Sequence, residues 1–370
     1  MELKKQVTIV VDTLSGGGAQ RVCINIANGL TNLDWKVDLL VLNSKNQDFL
    51  CNVSKKINLI RLNLNHARYA GFSLLKYIYQ KKPSVFLVFN YELSVLLILL
   101  RIFFKFKYKI ISRNINTLSE KYKEFKQKNF WVRNIVGTLI NNFYYKADHI
   151  INQCYDMYVD IIKIHPKLRN NTSVIYNPIT NNILDYANSH DLIQIEKKDY
   201  LLCVGRLEKA KGFKYAIEAF ASISKKFPEL RLKILGKGSL EFELKQNAYK
   251  FGVENRVDFE GFQNDIIPYY LHARATMLTS LYEGFPNVLI ESITLGTAVV
   301  SFDCPSGPRE IIKDGINGYL TKHNDVDDLK KKLFILMTKK FNIDEMRLSI
   351  KRHEPNEIAK HYDKLISSFL

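Results

Sequence analysis

Short apolar runs alternate along this chain with amphipathic stretches, and a glycine or polar loop closes each run. Residues 7–11, 37–42, 85–89, 110–112 and 149–152 are apolar over the length of a buried strand. Between the first two, Val22, Ile26 and Leu30 recur four apart, as one face of a helix. Strands alternating with helices predict a parallel, doubly wound sheet. The scheme then repeats. Residues 200–204, 231–235, 257–259, 275–278 and 298–302 read as strands, and 213–225, 240–251 and 287–295 as helices. A strand-like 173–176 ends in the turn dipeptide Asn177-Pro178, which places a seam between residues 176 and 177. The expected organisation is two Rossmann-like α/β domains, residues 1–176 and 177–354.

Length agrees, because 370 residues exceed what one core usually supports. The five cysteines form no CxxC pair and are odd in number, so neither a disulfide framework nor a zinc site is expected. The apolar run near the N-terminus stops at Asp12 and the glycines that follow it, too soon for an export signal.

Charge changes the picture more. The net charge is +17, and residues 51–133 carry 17 basic against 3 acidic residues. A one-sided basic region implies a polyanionic partner such as a membrane surface, a phosphorylated lipid or a nucleic acid. Residues 93–108, LSVLLILLRIFFKFKY, are apolar and then basic. Glu92 and Arg101 bracket a run shorter than the roughly 20 residues that span a bilayer. It reads either as a buried core helix or as a membrane-facing patch.

Candidate chemistry lies on the loops after the strands. Gly16, Gly17 and Gly18 lie between the first strand and first helix, where backbone amides can approach a phosphate. Their spacing is not GxGxxG, which argues against a dinucleotide oxidoreductase. Arg206 follows the strand 200–204, and Lys211 lies on the same loop beside Gly212. Two cations at a strand end can clamp a diphosphate and offset the charge on a departing nucleotide; two solvated surface cations would look the same. Glu283 precedes a helix and Glu291 lies within it, in the run EGFPNVLIE. Eight residues at helical rise separate them by about 12 Å, a span that suits a ligand with a hydroxylated ring at each end. Pro286 suits the first turn, and the amides near Asn287 and Val288 would face an anion. Gly236 and Gly238, and Gly261 with Phe262, follow two further strands, where a base and ribose would be held.

Taken in this order, the motifs resemble the retaining glycosyltransferase family 4, the group 1 glycosyltransferases of GT-B architecture. SGGGAQR resembles that family's GGAER-type loop, VGRLEKAKG its donor motif, EGFPNVLIE its E-x7-E motif, and residues 308–312 with Asp314-Gly315 its downstream loop. The resemblance implies a nucleotide-sugar donor in a cleft between two domains, with residues 355–370 returning to the first. Arg206 and Lys211 would bind the donor diphosphate, and Gly17 and Gly18 would approach it. Glu283 would face the transferred sugar and Glu291 the ribose, with Phe285 in the same loop on the donor side. No cofactor and no metal would be needed. Many members carry a histidine in the N-terminal domain. Here the comparable stretch is Ile111-Ser112-Arg113-Asn114, so Arg113 or Asn114 is expected in that space, on the acceptor side.

The resulting expectation is transfer of a hexose or N-acetylhexosamine from a UDP-sugar to a lipid-linked saccharide. The chain would sit peripherally on the cytoplasmic face of the inner membrane, in O-antigen, capsule or related surface-glycan synthesis. A GDP-mannose-dependent mannosyltransferase of the same fold is the nearest alternative. A basic, non-enzymatic nucleic-acid-binding protein would account for the charge, but it leaves Glu283 and Glu291 without a role; nucleic acid is therefore not expected as a partner.

Overall fold

The computed structural model describes residues 5–15, 17–43, 50–64, 69–126 and 132–370. The chain forms two compact units, Met1–Thr180 with Pro355–Leu370, and Asn181–Glu354. The first unit runs β1 (Gln6–Thr13), α1 (Gly18–Thr31), β2 (Lys36–Asn43), β3 (Asn58–Arg61), α2 (Ala70–Lys81), β4 (Val85–Val88), α3 (Tyr91–Phe104), β5 (Lys109–Arg113), α4 (Leu118–Lys126), α5 (Gly137–Phe143), β6 (His149–Asn152), α6 (Tyr155–Ile164) and β7 (Thr172–Val174). Its strands form one parallel sheet in the order β3-β2-β1-β4-β5-β6-β7.

Alternation along β1 builds two hydrophobic layers, because successive side chains on a strand point to opposite faces. Val7, Ile9 and Val11 meet Val22, Ile26 and Leu30 of α1 on one face. Val10 faces the other way and packs with Phe86 and Val88 of β4, Leu74 of α2, and Leu97 and Ile98 of α3. The residues expected as the face of α1 are thus the ones that cover the sheet.

The second unit runs α7 (Asn181–Ser189), β8 (Tyr200–Val204), α8 (Phe213–Ser224), β9 (Arg231–Leu235), α9 (Glu241–Lys250), β10 (Val257–Gly261), α10 (Ile267–His272), β11 (Ala275–Leu278), α11 (Asn287–Thr294), β12 (Val299–Phe302), α12 (Pro308–Ile311), β13 (Gly318–Thr321), α13 (Val326–Thr338) and α14 (Ile343–Ser349). Its parallel sheet has the order β10-β9-β8-β11-β12-β13. A last helix, α15 (Pro355–Ser367), belongs to the first unit. Ile358, Tyr362 and Ile366 line up every fourth residue and enter the same cluster as α1. Asp363 fixes the helix from the side, accepting hydrogen bonds from Trp35 Nε1 at 2.7 Å and Lys5 Nζ at 3.1 Å.

The division between units falls after Thr180 rather than after Tyr176. Asn177 explains part of the difference, since its side chain accepts a hydrogen bond from Arg113 inside the first unit. The run at 93–108 divides its surface. Leu93, Val95, Leu97 and Ile98 of α3 are buried, whereas Ile102, Phe103 and Phe104 at its end are exposed. Among the described residues, no helix is long and apolar enough to cross a membrane.

Candidate active site

In the second unit the strand order reverses between β8 and β11. Loops leaving the carboxyl ends of two such strands turn away from each other, and ligands of open α/β sheets bind in the crevice so formed. The loop after β8 ends at Gly212, whose φ is +59°. A Cβ there would stand 2.2 Å from the Thr279 carbonyl oxygen, so only glycine lets this loop touch the one after β11. Thr279 Oγ1 donates to the Lys211 carbonyl at 3.2 Å, and the Leu281 amide donates to the Ala210 carbonyl at 2.7 Å.

Those contacts bring the two key charges together. Lys211 Nζ lies 2.6 Å from Glu283 Oε1, with side chains only 20% and 10% exposed. Ser280 Oγ donates to the same oxygen at 2.6 Å. Oε1 is therefore held by two donors, while none among the described residues reaches Oε2. An ionised carboxylate with one oxygen fixed and the other open is suited to accept hydroxyl hydrogen bonds from a sugar. Arg206, on the same loop, is exposed; its carbonyl accepts from the Glu208 amide at 2.7 Å, and its guanidinium makes no hydrogen bond or ion pair among the described residues. Its charge helps to hold the Glu208 carboxyl below the usual range, after that group's hydrogen bonds from Ser239.

The neighbouring loops are tied into the same edge. The Leu207 amide donates to the Lys237 carbonyl at 3.0 Å, and the Gly236 amide to the Gly261 carbonyl at 2.7 Å. Gly236 has φ +137°, and a Cβ there would fall 1.9 Å from the Gly205 carbonyl oxygen. Gly238 and the half-exposed Phe262 complete this edge. Arg206, Lys211, Gly236, Gly238, Gly261, Phe262 and Glu283 thus all lie on loops at the carboxyl ends of β8, β9, β10 and β11.

Helix α11 begins at Asn287 after Pro286; the Asn287 amide donates to the Phe285 carbonyl and the Leu289 amide to the Pro286 carbonyl, each at 3.0 Å. Asn287 and Val288 occupy that first turn. Glu291 is the fifth residue of the helix and is 5% exposed; its Oε2 accepts from Tyr270 OH at 3.1 Å. Phe285 is buried against the His353 ring, 5.5 Å between centroids, and so packs the loop from below. From the loop after β12, the Pro305 carbonyl accepts from the Glu283 amide at 3.2 Å. Cys304 is buried beside the pair. Burial pushes its thiol up and the Glu283 charge adds to this, so it is a neutral packing group.

In the first unit, Gly17 sits in extended backbone before α1, and Gly18 is the first helical residue; no side chain caps this end. Gly16 lies outside the described residues. Arg113 and Asn114 end β5 and are each 1% exposed. Arg113 Nε donates to Tyr362 OH at 2.7 Å, Nη2 donates to Asn177, and the guanidinium stacks on Phe89. Asn114 Nδ2 donates to Asn152 at 2.7 Å, and its carbonyl oxygen accepts from Tyr144 OH. Both side chains are turned into the unit's interior.

Sequence reasoning passed over Ser280 and the Pro305 carbonyl. The only signal for Ser280 was a hydroxyl three residues before Glu283, beside Thr279 just past the strand 275–278. Ser280→Ala should lower kcat/KM about tenfold, the cost of one hydrogen bond to a charged group, with the melting temperature little changed. Wild-type kcat/KM in a folded variant would mean that Lys211 alone positions the carboxylate.

The comparisons with known proteins agree with this geometry. Residues 187–362 match the model of the group 1 glycosyl transferases. An uncharacterized glycosyltransferase of Haemophilus influenzae is 28% identical over 90% of this chain and 91% of its own length. A Campylobacter jejuni enzyme, N-acetylgalactosamine-N,N'-diacetylbacillosaminyl-diphospho-undecaprenol 4-alpha-N-acetylgalactosaminyltransferase, is 26% identical over 98% of this chain and 96% of its own. In fold, the crystal structure of HepE from Anabaena in complex with UDP superposes with a TM-score of 0.75 at 20% identity, covering 98% of this chain and 100% of that one. With two Rossmann-like units of GT-B type, the chain carries over residues 187–362 the domain of the group 1 glycosyl transferases.

Proposed function

We propose that this enzyme transfers a hexose or N-acetylhexosamine from a UDP-sugar, with retention and without a metal ion, to a lipid-linked saccharide in surface-glycan synthesis. The observation that carries the proposal is the Lys211–Glu283 pair at the switch point, with the exposed Arg206 on the same loop as Lys211. In the reaction, the bond between the anomeric carbon and the β-phosphate oxygen breaks, and its electron pair leaves with UDP. Arg206, Lys211 and the N-terminal dipole of α11 offset that charge. Glu283 Oε2 holds hydroxyls of the transferred sugar, and Glu291 those of the ribose. The acceptor hydroxyl then forms the new bond to the anomeric carbon, and its proton passes to the β-phosphate oxygen of the departing UDP.

Two relatives support the finer points by analogy. The HepE structure contains UDP, and the name of the Campylobacter enzyme specifies a diphospho-undecaprenol-linked acceptor. The basic segment 51–133 suits such an acceptor and an anionic membrane surface, in keeping with a peripheral place on the cytoplasmic face. A panel of nucleotide sugars tests the donor by thermal stabilisation. A matched UDP-sugar at a hundredfold over its Kd should stabilise the chain by about 2.7 kcal/mol, and transfer should persist in EDTA. Stabilisation by GDP-mannose with none by any UDP-sugar would instead assign a mannosyltransferase.

A further inference from the structure

The outward face of α2 is aromatic and basic, against the usual order for a helix on a water-soluble surface. Phe72 and Tyr79 are 80% and 59% exposed. They stand seven residues apart, two turns of the same side, with exposed Lys76 between them and Leu74, Tyr77 and Ile78 buried behind. The end of α3 continues this surface. Phe103 is 76% exposed and Phe104 47%. Tyr79 contacts Phe106 at 5.2 Å between ring centroids, and Phe106 contacts Phe104 at 5.8 Å, so the two helix ends share one aromatic patch.

Lysines rim the patch. Lys81, Lys82, Lys105 and Lys107 are exposed and make no ion pair among the described residues. The three acids of segment 51–133 are occupied elsewhere: Glu92 and Glu124 face Lys121 at 3.7 and 3.6 Å, and Glu120 faces Lys123 at 2.6 Å. The positive charge around the aromatics is therefore uncompensated. We propose that α2 and the end of α3 form a docking surface for an anionic lipid bilayer, with Phe72, Tyr79, Phe103 and Phe104 entering the interface and the lysines reaching the headgroups. Aromatic rings favour the headgroup boundary, and lysine stems lie along apolar surface while their ammonium groups stay at the phosphates. This inference rests on the reading that the acceptor is lipid-linked, and it names the surface that brings the enzyme to it.

The test is co-sedimentation of the full chain with phosphatidylcholine vesicles, with and without phosphatidylglycerol. Binding should require phosphatidylglycerol and weaken with salt. The pair Phe72→Ser with Phe103→Ser, and the pair Lys105→Glu with Lys107→Glu, should each reduce partitioning about tenfold or more. Both pairs change only exposed side chains, and their thermal stabilisation by UDP should match wild type. No binding of wild type to the mixed vesicles, or unchanged binding of both variants, overturns the proposal. A dimer that Phe72→Ser with Phe103→Ser dissociates, with vesicle binding intact, assigns the face to a second copy and also overturns it. Absence of stabilisation by any nucleotide or nucleotide sugar in wild type would count against the donor reading alone, whatever the vesicles show.

Discussion

Glu283→Gln should fold normally and lose about a hundred- to a thousandfold in turnover, the scale seen when one preorganised electrostatic contact to a transition state is removed. The substitution keeps the shape and abolishes the charge of a carboxylate whose Oε2 no donor among the described residues reaches. Lys211→Met should lose at least as much, for two separable reasons. It removes a cation from the departing diphosphate, and it leaves Glu283, 10% exposed, with Ser280 as its only side-chain donor among the described residues. Breaking a fully buried pair costs roughly 3–5 kcal/mol, and partial exposure of Lys211 brings this to about 2 kcal/mol. The double variant Lys211→Met with Glu283→Gln has no orphaned charge. Its stability should return towards wild type while its turnover stays lost. Melting curves and turnover measured on the same four proteins check this. Recovery of both together would mean that the pair only holds the loops.

The residues of this site were legible because catalysis at a strand's carboxyl end needs short-range signals. Gly212 must be glycine for the loops to touch, and Glu283 and Glu291 lie eight residues apart in one loop and helix. Four strands, at 149–152, 200–204, 231–235 and 275–278, have the same limits in sequence and structure; of these, 200–204 and 275–278 are buried over nearly their whole length and read as short runs of buried residues. The strands that carried no readable pattern, Asn58–Arg61 and Gly318–Thr321, lie at sheet edges. There one side is open and the apolar run is short. What Ser280 does could not be read either. Its partner is three residues away, but the contact depends on how the loop after β11 folds against the loop after β8. The same holds for Lys211, which motif and spacing place on the donor and which the structure pairs with Glu283.

Arg113 shows the limit from the other direction, and it carries the second large prediction. Position in sequence places it in the space of the family's usual histidine. The fold gives it a 1% exposed guanidinium with no carboxylate partner among the described residues. Its contacts join β5 to Tyr362 of α15 and to Asn177, and Nη1 is left without a hydrogen bond. Arg113→Ala would open a cavity under Phe89 and strip Tyr362 and Asn177 of a donor. The expected cost is about 3–5 kcal/mol, and a melting temperature lower by about 10 °C. Arg113→Lys keeps the charge but cannot reproduce the fork or the stacking, so it should fall between the two. If Arg113 acts as this internal clamp, turnover per folded molecule and the acceptor KM should change little in either variant. A residue that touches the acceptor would give the opposite pattern: a raised acceptor KM at an unchanged melting temperature. A buried guanidinium without a carboxylate costs desolvation, so any stability Arg113 adds comes from its hydrogen bonds and packing, not from its charge. A buried cation that only stabilised packing would be replaced without loss by an apolar side chain of the same length, so Arg113→Met completes the series. Equal stability with equal turnover in that variant would leave the clamp without a need for charge. Equal stability with lost turnover would return Arg113 to the acceptor side, where its place in the sequence first put it.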